Sequence, residues 1–184
     1  MKKQLINALK TYQAYDKEEK NMVEKTIEYL EGTDVYLGKI NPDGHITGSA
    51  WIVNKNKNKA LLTHHLKLNI WVQLGGHTEL DESVFDSAYR EGIEESGLEV
   101  LNKINDSIFD VDVHKIPERK GVKAHYHYDV RYIFEADDMI PLIVSDESHD
   151  LSWVAFNEIE KYTTERSVIR MVEKMEAYHD FRSN

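Results

Sequence analysis

Residues 75–98, GGHTELDESVFDSAYREGIEESGL, constrain this chain more than any other stretch. Gly76, Glu82, Arg90, Glu91, Glu94, Glu95, Gly97 and Leu98 are its fixed points. No proline interrupts 83–96, and Val84, Phe85, Ala88, Tyr89 and Ile93 recur at helical spacing. The spacing therefore predicts a helix over 83–96. Ser83 or Asp81 can cap its start, Asp86 lies three residues beyond Ser83, and Gly97 stands where a left-handed C-terminal residue belongs. On that helix Glu91, Glu94 and Glu95 crowd one face.

Such crowding is unfavourable by itself. Like charges at these spacings repel, and the last turns of a helix favour cations, at about 0.2–1 kcal/mol per term. A solvated acidic face tolerates that cost, whereas a divalent cation turns it into a binding site. Hard cations such as Mg2+ take oxygen ligands and are commonly held by one or two carboxylates together with substrate phosphates. Glu82 and Arg90 read as a supporting ion pair between loop and helix. Gly75 and Gly76 let the backbone turn tightly and bring a carbonyl, that of Gly75, close to the cation.

The stretch resembles the signature box of the Nudix hydrolases, from Gly76 to Leu98. The departure is Gly92, where the family usually has an aliphatic residue. A glycine there weakens the helix by roughly 1 kcal/mol relative to alanine, but it lets that face pack closely on a strand and removes no ligand.

The rest of the chain sets bounds. With 184 residues, it is long enough for one domain with a real core and a small appendage. A net charge of −10 argues against general affinity for nucleic acid or anionic membrane, so an anionic substrate needs a metal or a local basic patch. The absence of cysteine excludes disulfides, a thiol nucleophile and a zinc–thiolate site. No apolar run approaches the ~20 residues of a membrane span, and MKKQLINALK lacks the apolar core of a signal peptide. A cytoplasmic protein is the expectation.

Hydrophobic stripes predict helix over residues 1–31, with Asp16 as a cap between two segments. These helices, a 1–32 extension before a 33–184 domain, can pack on the core, wall the site or form a homodimer interface. Strands are expected over 34–40, 46–54, 60–65, 70–74 and 99–105, with KNKNK at 55–59 a polar hairpin loop. A weak strand over 142–144 and a polar loop over 145–150 follow. Then come a strand over 151–155 with Trp153 in the core, a short helix to Tyr162, and a last helix over 164–179 ahead of a frayed DFRSN tail.

Residues 108–116 and 123–134 alternate and can pair as a hairpin. One face of it carries Asp110, Asp112 and His114 with His125, His127, Asp129 and Arg131. This face is a polar pocket that orients substrate, a second metal site, or a solvated sheet face; His and Asp suit Mn, Fe or Zn better than Mg. His77 in the box loop reads as a substrate contact, and at most one of His64 and His65 can point into a site. Arg119, Lys120 and Lys123 form a basic loop that reads first as solvated and second as an aid in holding a phosphate.

The resemblance implies an α/β class and the Nudix fold, an α/β/α sandwich around a mixed β-sheet. It implies a metal-dependent hydrolase that cleaves the diphosphate linkage of a nucleoside diphosphate joined to another moiety. Its ligands would be Glu91, Glu94 and Glu95 with the Gly75 carbonyl, and its cofactor Mg2+ or Mn2+. Arg90 and Glu82 would orient the ligands. The general base falls to Glu94 or Glu147, and the additional carboxylate that Nudix enzymes often recruit from outside the box to Glu147 or Asp146. His77, His125, His127, Asp112 and Arg119 would meet a small nucleotide-like substrate. Two alternatives remain at this stage. One is a non-catalytic Nudix-fold module that binds a nucleotide-like metabolite. The other, an isopentenyl diphosphate isomerase, ranks last because that type uses a cysteine.

Overall fold

The computed structural model describes residues 1–119 and 121–182, the last five by backbone alone. Lys120, the inward side expected for Tyr178 and the end of the DFRSN tail therefore lie outside what is described. Among the described residues, four α-helices and eight strands follow in the order α1 Lys2–Thr11, α2 Lys17–Gly32, β1 Gly44–Asn54, β2 Lys59–His65, β3 Trp71–Val72, β4 Leu74–His77, α3 Val84–Ser96, β5 Asn102–Lys103, β6 Asp110–Ile116, β7 His125–Ala136, β8 Ser148–Ala155 and α4 Arg166–Arg182. A 3-10 turn, Phe156–Lys161, joins β8 to α4. The strands form one sheet in the order β3-β2-β1-β7-β5, with β4 on β1, β6 on β7 and β8 on β2. Helices and sheet together make the α/β class that was expected. Among the described residues no helix is long and apolar enough to cross a membrane.

The chain divides into two compact units. The first comprises Met1–Ser49, Gly75–Tyr89 and Asp106–Tyr132. Here Asp16 caps α2, its side chain accepting from the Glu19 amide at 2.7 Å. Glu19 is wholly buried. It accepts from the Tyr12 hydroxyl at 2.7 Å, the Tyr15 amide at 2.6 Å and the Val111 amide at 3.1 Å, which ties α2 to β6. A buried carboxylate survives only with such partners, so the N-terminal helices are packed onto the sheet of this unit.

The β6–β7 hairpin forms in the register its alternation allows, with Asp110 opposite Arg131, Asp112 opposite Asp129 and His114 opposite His127. Arg131 is 2% exposed. It donates to Asp129 at 2.8 Å and Asp110 at 3.2 Å and lies 3.3 Å from Asp112. Burial works against its charge, but Asp112, Asp129 and Asp110 outweigh that and hold its pKa above the ordinary arginine value. Hydroxyls of Thr47 and Ser49 on β1 each donate to Asp129 at 2.8 Å. The aspartates of this face are thus gathered around an arginine.

The second unit comprises Ala50–Leu74, Arg90–Asn105 and Ile133–Asn184. β2 pairs with β1 through the hairpin at 55–58 and with β8 on its other edge, all antiparallel. Trp51, Leu61, Leu62, Val154 and Met171 are buried in its core. Trp153, expected in the core, is only half-buried.

Three expected elements differ. Residues 34–40 form no strand; Gly38 turns at a φ of +66° and the segment makes isolated bonds, such as Ile46 N–H to the Tyr36 carbonyl at 2.8 Å. Residues 142–144 form none either, since Ile143 is held by one bond to the Ser96 carbonyl at 2.9 Å and covers Gly97. β8 begins at Ser148, so the polar loop is shorter than 145–150; the Ser148 hydroxyl meets that of Thr63 at 2.6 Å, which draws this polar segment into the ladder with β2.

Candidate functional site

The box helix starts and ends as its sequence requires. The Asp86 amide donates to the Ser83 hydroxyl at 3.1 Å, and that hydroxyl donates to the Asp86 carboxylate at 2.6 Å. At the other end Gly97 takes a φ of +70°, with its N–H on the Ile93 carbonyl at 2.9 Å. The loop before α3 is pinned by Thr78, whose hydroxyl donates to the Ile46 carbonyl at 3.0 Å.

Close approach to β1 fixes the helix, and two glycines allow it. In the first unit a Cβ on Gly48 would lie 2.7 Å from the Val84 carbonyl oxygen and 3.0 Å from the Ala88 nitrogen. In the second, a Cβ on Gly92 would meet Leu101 at 2.8 Å and Ala50 at 3.1 Å. Gly92, the departure from the family pattern, is therefore the residue that brings α3 onto its strand. Gly75 is similarly confined, since a Cβ there would fall 2.6 Å from the Ser49 Cα.

The acidic face belongs to the second unit. Arg90 lies along it, one guanidinium nitrogen donating to Glu91 Oε1 at 2.9 Å and Glu94 Oε2 at 3.0 Å. Each carboxylate keeps its other oxygen out of these bonds. The Glu94 side chain is 58% exposed and that of Glu91 16%. Glu95 is buried. Burial pushes the Glu91 carboxyl up, Arg90 opposes this, and the charges of Glu94 and Glu147 raise it further. Glu147, exposed just before β8, is thereby within electrostatic reach of Glu91, although nothing in its spacing singled it out. Its carbonyl accepts from the Leu66 amide at 2.9 Å. In the first unit, Glu82 accepts from the Glu79 amide at 3.3 Å.

The histidines divide by unit. His64 stacks on Trp71 at 5.0 Å, and His65 accepts from the Lys67 amide at 3.1 Å. In the first unit His77, His125 and His127 gather with a residue that sequence reasoning missed, His45. Its ring centroid lies 4.7 Å from those of His77 and His127 and 5.1 Å from that of His125. His114 joins them, 5.4 Å from His127 and 3.0 Å from the Asp112 carboxylate. Among the described residues, His45, His77 and His127 form the one group of three or more ligating side chains whose donor atoms converge, all within 4.8 Å of one another. The box glutamates share a helix face without converging that tightly. Neither ring nitrogen of His45 has a hydrogen-bond partner, nor does Nε2 of His127. Burial, then the neighbouring His125 and Lys39, pushes the His45 pKa down to about 4. Asn41 backbone pulls it weakly the other way without a bond of normal geometry. Burial, then His114, His77, His45 and His125, pushes His127 down to about 2. His45 alternates with Thr47 and Ser49 along β1, and that polar alternation was the signal available in the sequence.

Asp112 is buried, engaged by Arg131 and His114. Arg119 is exposed in an isolated bridge with Val122.

Comparison with known proteins bears on the family and the fold. The NUDIX domain pattern matches residues 45–174. A probable DHNTP pyrophosphohydrolase of Lactococcus lactis subsp. cremoris strain MG1363 is 34% identical over 141 residues, 75% of this chain and 81% of that protein. An Ap4A hydrolase of C. elegans, solved as a binary complex, superposes with a TM-score of 0.59 at 18% identity, covering 73% of this chain and 97% of that one. The dihydroneopterin triphosphate pyrophosphohydrolase of E. coli does so with a TM-score of 0.54 at 15% identity, covering 77% and 97%. These likenesses establish the Nudix fold. The chain belongs to the Nudix family, whose members act on nucleoside diphosphate derivatives, and is a Nudix pyrophosphohydrolase.

Proposed function

We propose that this enzyme hydrolyses the diphosphate linkage of a nucleotide-like substrate and depends on Mg2+ or Mn2+ held by Glu91, Glu94 and Glu95. The carrying observation is the charge balance on the acidic face. Arg90 neutralises one oxygen of Glu91 and one of Glu94, and Glu91 still feels Glu94 and Glu147. That face has room for positive charge, and its donors are the hard oxygens that such cations prefer. The ion, when bound, would neutralise the diphosphate and lower the pKa of a coordinated water toward neutrality.

The chain's own residues supply the rest. Arg90 bridges residues 91 and 94 across one turn and holds their carboxylates in fixed orientations. Glu82 braces the loop that leads into α3 through its bond to the Glu79 amide. Glu94 and Glu147, the exposed carboxylates of the set, are the ones free to take a proton from the attacking water. Between them, Glu147 stands outside the helix and keeps no bond to Arg90 among those described.

The 34% identical relative makes dihydroneopterin triphosphate the first compound to offer. ADP-ribose, nucleoside triphosphates, dinucleoside polyphosphates and sugar nucleotides complete the screen. Turnover should require Mg2+ or Mn2+ and be lost on EDTA treatment. Full activity in EDTA would overturn the metal assignment.

A further inference from the structure

We propose that His45, His77 and His127 form a second metal site, one that takes a late first-row divalent cation, Zn2+ in the first instance, with His125 as fourth donor. It does not depend on the box reading, because its ligands lie on β1, β4 and β7 of the first unit.

The donor atoms already lie within 4.8 Å of one another. Zinc–imidazole bonds of about 2.0–2.1 Å in a tetrahedron place ligand nitrogens roughly 3.4 Å apart, so the rings need to close by on the order of 1 Å. Side-chain rotation on strands supplies such a movement.

Unmet nitrogens argue for an occupant. A buried polar group without a partner costs about 1–3 kcal/mol. Both nitrogens of His45 and Nε2 of His127 are in that state. The unmet nitrogens of His45 and His127, with a donor atom of His77 within 4.8 Å of theirs, suit a cation that accepts lone pairs. An all-imidazole set favours Zn, Cu, Fe or Ni over Mg or Ca. The aspartates that would have favoured a harder ion are held by Arg131.

The surroundings resemble those of metal-bound histidines. His125 Nδ1 faces the Lys123 carbonyl at 2.8 Å; since a carbonyl only accepts, that nitrogen carries the proton and Nε2 keeps its lone pair. His114 rests on the Asp112 carboxylate at 3.0 Å and packs against His127. On this proposal His77, His125 and His127 act as ligands, in place of the direct substrate contacts expected of them.

The test is titration of metal-stripped protein with Co2+, read by visible absorption, and with Zn2+, read by calorimetry. Wild type should bind an equivalent of Co2+ with the intense bands of a tetrahedral nitrogen-ligated ion. The double variant E94Q/E95Q should keep those bands, because it removes only box oxygens. H45Q and H127Q should each weaken Zn2+ binding by at least about tenfold, since loss of supporting groups alone costs about 10–100-fold. Should those variants not fold, imidazole 15N shifts in the wild type decide instead. Zn2+ should move His45, His77 and His127 and leave His64 and His149 in place. Bands lost in E94Q/E95Q, or zinc that leaves these imidazole shifts unmoved, would overturn the site.

Discussion

Single residues decide how α3 meets β1. Gly48 and Gly92 leave room for helix backbone and side chains that no other residue would leave. For Gly48→Ala the obstacles are backbone atoms of α3, so overpacking of about 1–3 kcal/mol should outweigh the gain of about 0.5–1 kcal/mol from a less flexible residue. For Gly92→Ala a movable Leu101 end and a fixed Ala50 methyl oppose a helix gain of about 1 kcal/mol, so its net loss should be smaller. Urea unfolding of both variants measures this order. A stabilised Gly48→Ala would refute the close-packing account. Gly92 was legible, because its place in the box exposed it as a departure and close packing was the stated consequence. Gly48 was not, because a glycine between Thr47 and Ser49 carries no mark of what lies above it. His45 escaped for a similar reason: its partners are 32 and 82 residues away, and no local spacing records them.

At the scale of elements, sequence patterning succeeded where periodicity and turn chemistry agreed. The capped α2 and α3, the 55–58 hairpin and the β6–β7 register all follow from local signals. It failed at 34–40 and 142–144, where short apolar runs find single hydrogen bonds rather than a partner strand. Alternation likewise assigned the faces of β6 and β7 but not how the polar face divides, with aspartates around Arg131 and histidines around His45. That division carries a prediction. Arg131→Met should leave Asp110, Asp112 and Asp129 without their counter-charge and cost about 3–5 kcal/mol. Urea midpoints read it, and a loss under about 1 kcal/mol would contradict a central role for the arginine. Asp16→Ala should cost about 1 kcal/mol through the lost cap on α2, visible in the same assay.

Across the molecule, the family and its fold were legible because the box fixes charges and glycines over two dozen residues, whereas the substrate was not, because metal and diphosphate are common to many. The buried histidines give the protein a global pH response. His45 and His127 are neutral in the fold, their pKa values near 4 and 2 against an ordinary 6.5. Below pH 6.5 the unfolded chain takes up protons that the folded chain refuses. Their contribution is therefore full above 6.5 and falls as pH drops, toward 4 for His45 and toward 2 for His127. In chelator-treated protein the urea midpoint should be lower at pH 5.0 than at pH 7.5, and the difference should shrink in H45Q. Equal midpoints would contradict neutral buried imidazoles. The central claim is that the acidic face of α3 carries a metal-dependent hydrolysis, and the most direct measurement is Mg2+-dependent release of the phosphorylated products by Glu95→Gln beside wild type, on whichever screened compound wild type turns over. The account predicts turnover abolished in the variant with its thermal unfolding curve preserved; turnover equal to wild type would contradict it.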